Sequence, residues 1–162
     1  VTHSEKDPIS RPFSELAAAA SVNGAEEKLR QIMDTIPALV HTGLPDGNLD
    51  FFNKLWMEYV GVPMESLRGW GWTSAIHPED VDGIVAEWRA CVASGEPFEY
   101  EARVRRADGE YRWMVHHKVL LRDKEGRGVR WFGSSLDIEE RKRSEDRLRE
   151  HAAELRQLID AV

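Results

Sequence analysis

Cysteine is almost missing from this chain: Cys91 is the single one in 162 residues. That excludes an internal disulfide framework and fits a reducing compartment. Long apolar runs are missing too. No stretch approaches the roughly 20 residues a membrane helix needs. The opening Val1-Thr2-His3-Ser4-Glu5-Lys6 lacks the basic-then-apolar order of a signal peptide, so a cytoplasmic location is expected. Positive charge is in deficit. A formal net charge of −7 argues against a nucleic-acid binder that relies on phosphate neutralisation. Catalytic signatures are lacking as well: no Gly-rich phosphate loop, no serine elbow, no Cys/His pair with an orienting third group. No His/Cys/Asp cluster has zinc-ligand spacing. The chain therefore reads as a module without catalysis of its own. Starting at Val1 and stopping mid-heptad at Val162, it is expected to be an excerpt from a longer protein.

What is present is strong local patterning. Residues 1–24 read as a linker or flanking segment, with Phe13 to Ala20 able to form a short Ala-rich helix. Over 25–37 a flanking helix carries Leu29, Ile32, Met33 and Ile36 on one stripe, and Pro37 stops it. Ala38 to Thr42 and Leu49 to Phe52 read as a hairpin around Pro45-Asp46-Gly47-Asn48. Asn53 is placed to cap a helix bearing Leu55, Trp56, Tyr59 and Val60 on its inner face, with Gly61 at its end. Pro63 to Leu67 forms a single turn, and Trp70-Gly71-Trp72 follows. The helix after His77-Pro78-Glu79-Asp80 has Pro at its first position, acids in its first turn and a buried face of Val81, Ile84, Val85, Trp88, Cys91 and Val92. Three strands complete the body: Phe98 to Arg106, Tyr111 to Leu121 and Val129 to Leu136, joined by Asp-Gly and Glu-Gly turns. Two strands, helices, then three strands favour an α+β domain on one antiparallel sheet, over 38–137.

The last strand runs into a helix at Leu136-Asp137-Ile138-Glu139-Glu140. Asp137 is the expected N-cap, and Glu140 is placed to reach back to the Asp137 amide as in a capping box. Over 138–162, Leu148, Ala152, Leu155, Ile159 and Val162 follow a 4-3-4-3 spacing, a coiled-coil seam. Projected backwards, the seam passes Glu145 and Arg141 and lands on Ile138.

In this order and spacing the residues resemble the PAS domain with its C-terminal PAC motif, over roughly Leu29 to Lys142. The marks are Gly47…Phe52-Asn53, Tyr59-Val60-Gly61, His77-Pro78-Glu79-Asp80, Trp88 and Phe98-Glu99-Tyr100-Glu101-Ala102-Arg103. They continue with Asp108-Gly109-Glu110-Tyr111-Arg112-Trp113 and Gly133…Asp137-Ile138-Glu139-Glu140-Arg141-Lys142. The family's usual Asp-Ile-Thr reads Asp-Ile-Glu here, which removes the threonine hydroxyl. The resemblance implies a five-stranded antiparallel sheet with helices on one face, a flanking N-terminal helix and a coiled-coil-like C-terminal exit helix. It also implies a sensory or dimerisation module of a bacterial signalling protein such as a sensor histidine kinase or a diguanylate cyclase. The partners implied are a second copy of the chain and an output domain in the same parent protein.

Pocket candidates are Phe51, Leu55, Trp56, Tyr59, Trp72, Ile76, Ile84, Trp88, Val104 and Val115. These side chains either fill the core or wall a small ligand cavity. On the strand Tyr111 to Leu121 the parity of Tyr111, Trp113, Val115 and Val119 turns His117 inward, as a ligand contact or as a hydrogen-bonded core histidine. No histidine lies on the helix that presents the haem ligand in haem-binding relatives. The asparagine-cysteine-arginine motif of flavin photosensors is absent, and Cys91 falls on an apolar helix face. No cofactor or metal is therefore expected. A ligand-free dimerisation spacer is the alternative to a sensor.

Overall fold

The computed structural model describes residues 24–162. The chain falls into two units, one ending at Ile36 and the other running from Pro37 to Val162. In the first, helix α1 covers 24–35, and Thr35 Oγ1 donates to the Ile32 carbonyl near its end (2.7 Å). The Ala-rich helix expected at Phe13 to Ala20 lies outside the described residues.

The second unit opens with β1 (Leu39–Gly43) and β2 (Leu49–Phe52). Three helices follow, α2 (Lys54–Val60), α3 (Met64–Leu67) and α4 (Pro78–Ser94), with a 3-10 turn at Gly71–Ala75. Then come β3 (Phe98–Arg105), β4 (Tyr111–Arg122), β5 (Gly128–Asp137) and α5 (Glu139–Asp160). The sheet order is β2-β1-β5-β4-β3, every pair antiparallel. The first and last strands of the unit thus meet at the middle of the sheet, and the exit helix leaves from that central strand.

Local chemistry accounts for the helix ends. His77 caps α4, its Nδ1 accepting from the Glu79 amide (3.1 Å), and Pro78 takes the first position, where no amide bond is lost. Gly47 sits at φ 92°, a conformation that glycine adopts without strain, and its carbonyl accepts the Trp88 indole N–H (3.0 Å). Trp88 has no exposed surface and packs edge-on against Phe98 and Trp131, with centroids 5.4 and 4.8 Å away. Removing such a side chain costs about 3–5 kcal/mol.

Three sequence expectations are corrected by the fold. Asn53 makes no side-chain cap on α2. Its amide instead bridges to the chain entering the sheet, accepting from Val40 N (3.2 Å) and donating to the Ala38 carbonyl (2.8 Å). In β2 the deeply buried ring is Phe52, whereas Phe51 is only partly covered. In β4 the inward set is Met114, His116 and Lys118, so Val115 and His117 face the other side. Both sides of β4 carry large apolar residues, and the longer apolar set is the outer one, so apolar parity does not mark the inner face there.

Along α5 no residue is buried, and Leu148, Ala152, Leu155, Ile159 and Val162 are all exposed. That face has no partner among the described residues.

Candidate functional site

Between the sheet and the helices lies a cavity of about 30 Å³, room for about two water molecules. Its wall is mostly apolar: Leu49, Phe52, Val60, Leu67, Ala75, Ile76, Ile84 and Val104, with Trp56 and Trp72. Three polar side chains complete it: His41 from β1, and His116 and Lys118 from β4. Five of the sequence candidates meet here, namely Trp56, Trp72, Ile76, Ile84 and Val104. Phe51, Leu55, Tyr59 and Trp88 lie outside the lining. Val115 and His117 border instead an open groove on the outer sheet face, with Leu136, Asp137, Ile138 and Glu140.

The polar members of the wall are deeply buried and poorly satisfied. His41, His116 and Lys118 are each under 5 % exposed. His41 is stacked on Phe52 and edge-on to Trp56, with no hydrogen-bond partner at either ring nitrogen. Its ring lies so close to β5 that a Cβ at Gly133 would come 2.3 Å from Nε2, which explains the glycine at that register position. His116 bonds through Nδ1 to Ser135 Oγ (2.7 Å) while its Nε2 has no partner. The indole N–H groups of Trp56 and Trp72 also lack acceptors. Each unsatisfied buried donor or acceptor costs about 1–3 kcal/mol.

Lys118 is the unusual member. Its Nζ makes no hydrogen bond among the described residues and lies 4.0 Å from the Phe98 ring centre, 4.3 Å from Trp88 and 5.5 Å from Trp72. Burial pushes its pKa down to about 7, opposed by the negative charge of Cys91 in its thiolate form. The ring faces also favour the ammonium form. Burial, then the Lys118 charge, pushes His116 down to about 3 and holds His41 well below the ordinary histidine value. Cys91 is not part of the wall. Its thiol lies 3.7 Å from Glu87 Oε1 and 3.6 Å from the Pro97 carbonyl, and burial followed by the Glu87 charge raises its pKa.

The second part of the site is the root of α5. Ile138, 7 % exposed, is the only residue between β5 and α5. The helix cap therefore falls on Ile138, one residue later than the expected Asp137. Asp137 still holds the first turn, since its Oδ1 accepts from the Glu139 amide (3.0 Å). The same carboxylate receives Arg112 Nε (2.6 Å) and the Tyr59 hydroxyl (3.4 Å). Burial works to raise the Asp137 carboxyl, but Arg112 and the Glu139 amide outweigh it and hold the pKa below the usual carboxylate value. Glu140 is exposed and makes no capping-box bond, and with the cap on Ile138 the reach-back position falls on Arg141, which cannot accept. Glu139 Oε2 accepts the Trp113 amide (2.7 Å), and the Trp113 carbonyl accepts the Ile138 amide (2.8 Å). The glutamate that replaces the family's threonine thus makes its own tie to the sheet. The Trp113 ring lies between Arg103 (4.9 Å) and Lys142 (4.8 Å). Arg103 is in turn clasped by Asp80 of α4, and Lys142 and Arg141 pair with Glu101.

His41, His116 and Lys118 were missed by sequence reasoning. The signal that pointed to two of them was the alternation His116, Lys118 in step with Met114. It was masked by the bulkier residues of the opposite parity.

A small core cavity that shares its strands with the root of an exit helix is the build of a signal-sensing module. The PAS fold family matches residues 50–135, more than half of the chain, and the chain belongs to that family. Among curated relatives, it is 32% identical over 126 residues to the peroxide stress-activated histidine kinase mak1 of Schizosaccharomyces pombe. That alignment covers 77% of this chain and 8% of the kinase. It is 31% identical over 143 residues to the uncharacterized protein y4lL of Sinorhizobium fredii, covering 88% of this chain and 17% of that protein. The chain thus spans less than a fifth of either relative. Among solved structures, it resembles a sensory box histidine kinase/response regulator from Burkholderia thailandensis, with a TM-score of 0.57 and 28% identity. That likeness covers 74% of this chain and 91% of the other. No helix among the described residues is long and apolar enough to cross a membrane.

Proposed function

We propose that the chain is the non-catalytic input module of a larger signalling protein of the histidine-kinase kind, working as a homodimer. One observation carries this reading. A single strand, β4, presents His116 and Lys118 to the cavity and both backbone groups of Trp113 to the root of α5. A change of packing in the cavity that shifts β4 against β5 therefore moves the support of Ile138 and Glu139. The exit helix then changes tilt or rotation, and a paired helix carries the change to an output domain in the same parent chain. A second route runs over the outer face, from Asp80 through Arg103 and the Trp113 ring to Lys142. The exposed seam of α5 supplies the surface for pairing, and its polar first half keeps two arrangements close in energy. A ligand-free spacer would use the same seam without depending on the cavity.

The test places spin labels on Ser144→Cys in the dimer, where Cys91, buried with a raised thiol pKa, stays unlabelled. Val104→Ile adds one methylene to the cavity wall and is expected to shift the distance between the two α5 helices. A chain that stays monomeric, or an unchanged distance distribution in the variant, overturns the proposal.

A further inference from the structure

The cavity wall has an imbalance that its size alone does not explain. It offers Lys118 Nζ, which makes no hydrogen bond among the described residues, the indole N–H groups of Trp56 and Trp72 and the single N–H of a neutral His41, none of them with an acceptor, while the free Nε2 of His116 donates or accepts according to its tautomer. No Asp or Glu lines the cavity to balance them. Burial leaves the Lys118 ammonium unpaired and lowers its pKa to about 7, so the group keeps its proton firmly at neutral pH only when a counter-charge enters beside it. Phe98, Trp88 and Trp72 share part of the ammonium's field, yet a ring face accepts no strong hydrogen bond. Two waters can satisfy donors but cannot neutralise charge. What the wall lacks is one compact group that is both negatively charged and rich in acceptor lone pairs.

We propose that the cavity is a binding site for a small planar oxyanion, a carboxylate of one or two carbons or an ion of nitrate shape, held chiefly by Lys118 with His41 and His116. This rests on reading the cavity as the sensing site, and it names the chemical class of the signal. A volume of about 30 Å³ restricts the ligand to the smallest oxyanions, formate first, with acetate or nitrate entering only where the wall gives way. So does the apolar remainder of the wall, which offers nothing to recognise a longer polar tail. The site is also coupled to the rest of the molecule. His116 is tied to Ser135 of β5, and His41 leans on β5 at Gly133, so an anion drawing these rings inward pulls on the strand that feeds α5.

Formate, acetate, nitrate and chloride, as sodium salts at matched ionic strength, are titrated into the 162-residue chain, with acetamide as the neutral counterpart of acetate. Melting temperature and the ring-proton NMR signals of His41 and His116 are followed. The expected result is a saturable rise in Tm with an oxyanion, on the order of 5 °C at a hundredfold excess over Kd, with both imidazoles shifting. Lys118→Met, which keeps the length of the side chain and removes the charge, is expected to fold and to weaken binding at least tenfold. Formate or acetate acting alone assigns a carboxylate; nitrate acting equally assigns the oxyanion shape. Equal responses in Lys118→Met, an equal response to acetamide, chloride alone acting, or no response in the wild type each overturn the anion. If Val104→Ile still shifts the α5 distance, that failure leaves the input-module reading standing. If it does not, both fall together.

Discussion

The two faces of β4 invert the usual division of labour. The inner face carries His116 and Lys118 beside Met114, deep in the core. The outer face carries Trp113, Val115, Val119 and Leu121, and Val119 and Leu121 are about half exposed (47% and 50%). Lys118 and a histidine lie inside, while the outside is mostly hydrocarbon broken by His117. On β3, one strand away, the rule holds: Phe98, Ala102 and Val104 are buried, and Glu99 and Arg105 are exposed. The difference teaches that β4 is shaped by two further demands. Its inner face serves a cavity, and its outer face pairs Val115 with Leu136 and Val119 with Phe132 of β5, two apolar pairs on either side of His117 and Ser134.

The contrast can be broken most forcefully at Met114, which has no exposed surface. Met114→Ala is expected to cost about 2–5 kcal/mol in urea unfolding. Next in size is the pH dependence of the inner face. His116 has a folded pKa of about 3 against 6.5 in a free chain, and His41 is lowered in the same direction. The unfolded chain takes up those protons first, so stability is lost as pH falls from about 6.5 toward about 3. Lys118, at about 7 folded against 10.5, is protonated only in the unfolded chain between those values. Stability therefore also rises as pH climbs from about 7 to about 10.5, by on the order of a few kcal/mol. Lys118→Met is expected to flatten that upper limb in denaturant titrations at fixed pH, and a limb that persists in the variant refutes the assignment. At the helix root, Asp137→Ala is expected to lower stability by about 1 kcal/mol, as for a lost first-turn acceptor. Unchanged unfolding would show that Glu139 alone holds the root. The smallest effect belongs to the outer face. Val119→Ser is expected to change monomer stability by less than about 0.5 kcal/mol. Sedimentation of this variant, set beside Leu155→Ser on α5, then tests whether the proposed dimer rests on the sheet face or on the seam.

The sequence made the order of elements legible because each element carries its own signal: the alternation on β3, the His77-Pro78 start of α4, the Asp-Gly turn. The junction was legible to within one residue. Asp137 does hold the first turn of α5, but the buried Ile138 takes the cap, and Glu139 rather than Glu140 turns back to the sheet. The cavity was half legible. Trp56, Trp72, Ile76, Ile84 and Val104 follow from helix and strand periodicity. His41, His116 and Lys118 did not, because a polar residue in an apolar strand is placed outside by any rule that minimises desolvation. A side chain's place in the core can be fixed by strand register alone, and here register overrode desolvation.

The single residue between β5 and α5 has a consequence for building with this domain. With no slack at Ile138, every side chain on α5 leaves the sheet at a fixed compass bearing. Adding or removing one residue swings whatever follows by about 100°, whereas seven residues return it to within about 20°. Chimeras joined to foreign outputs through α5 should thus fall into working and silent classes by the remainder of linker length on division by seven, whatever the identity of the residues inserted.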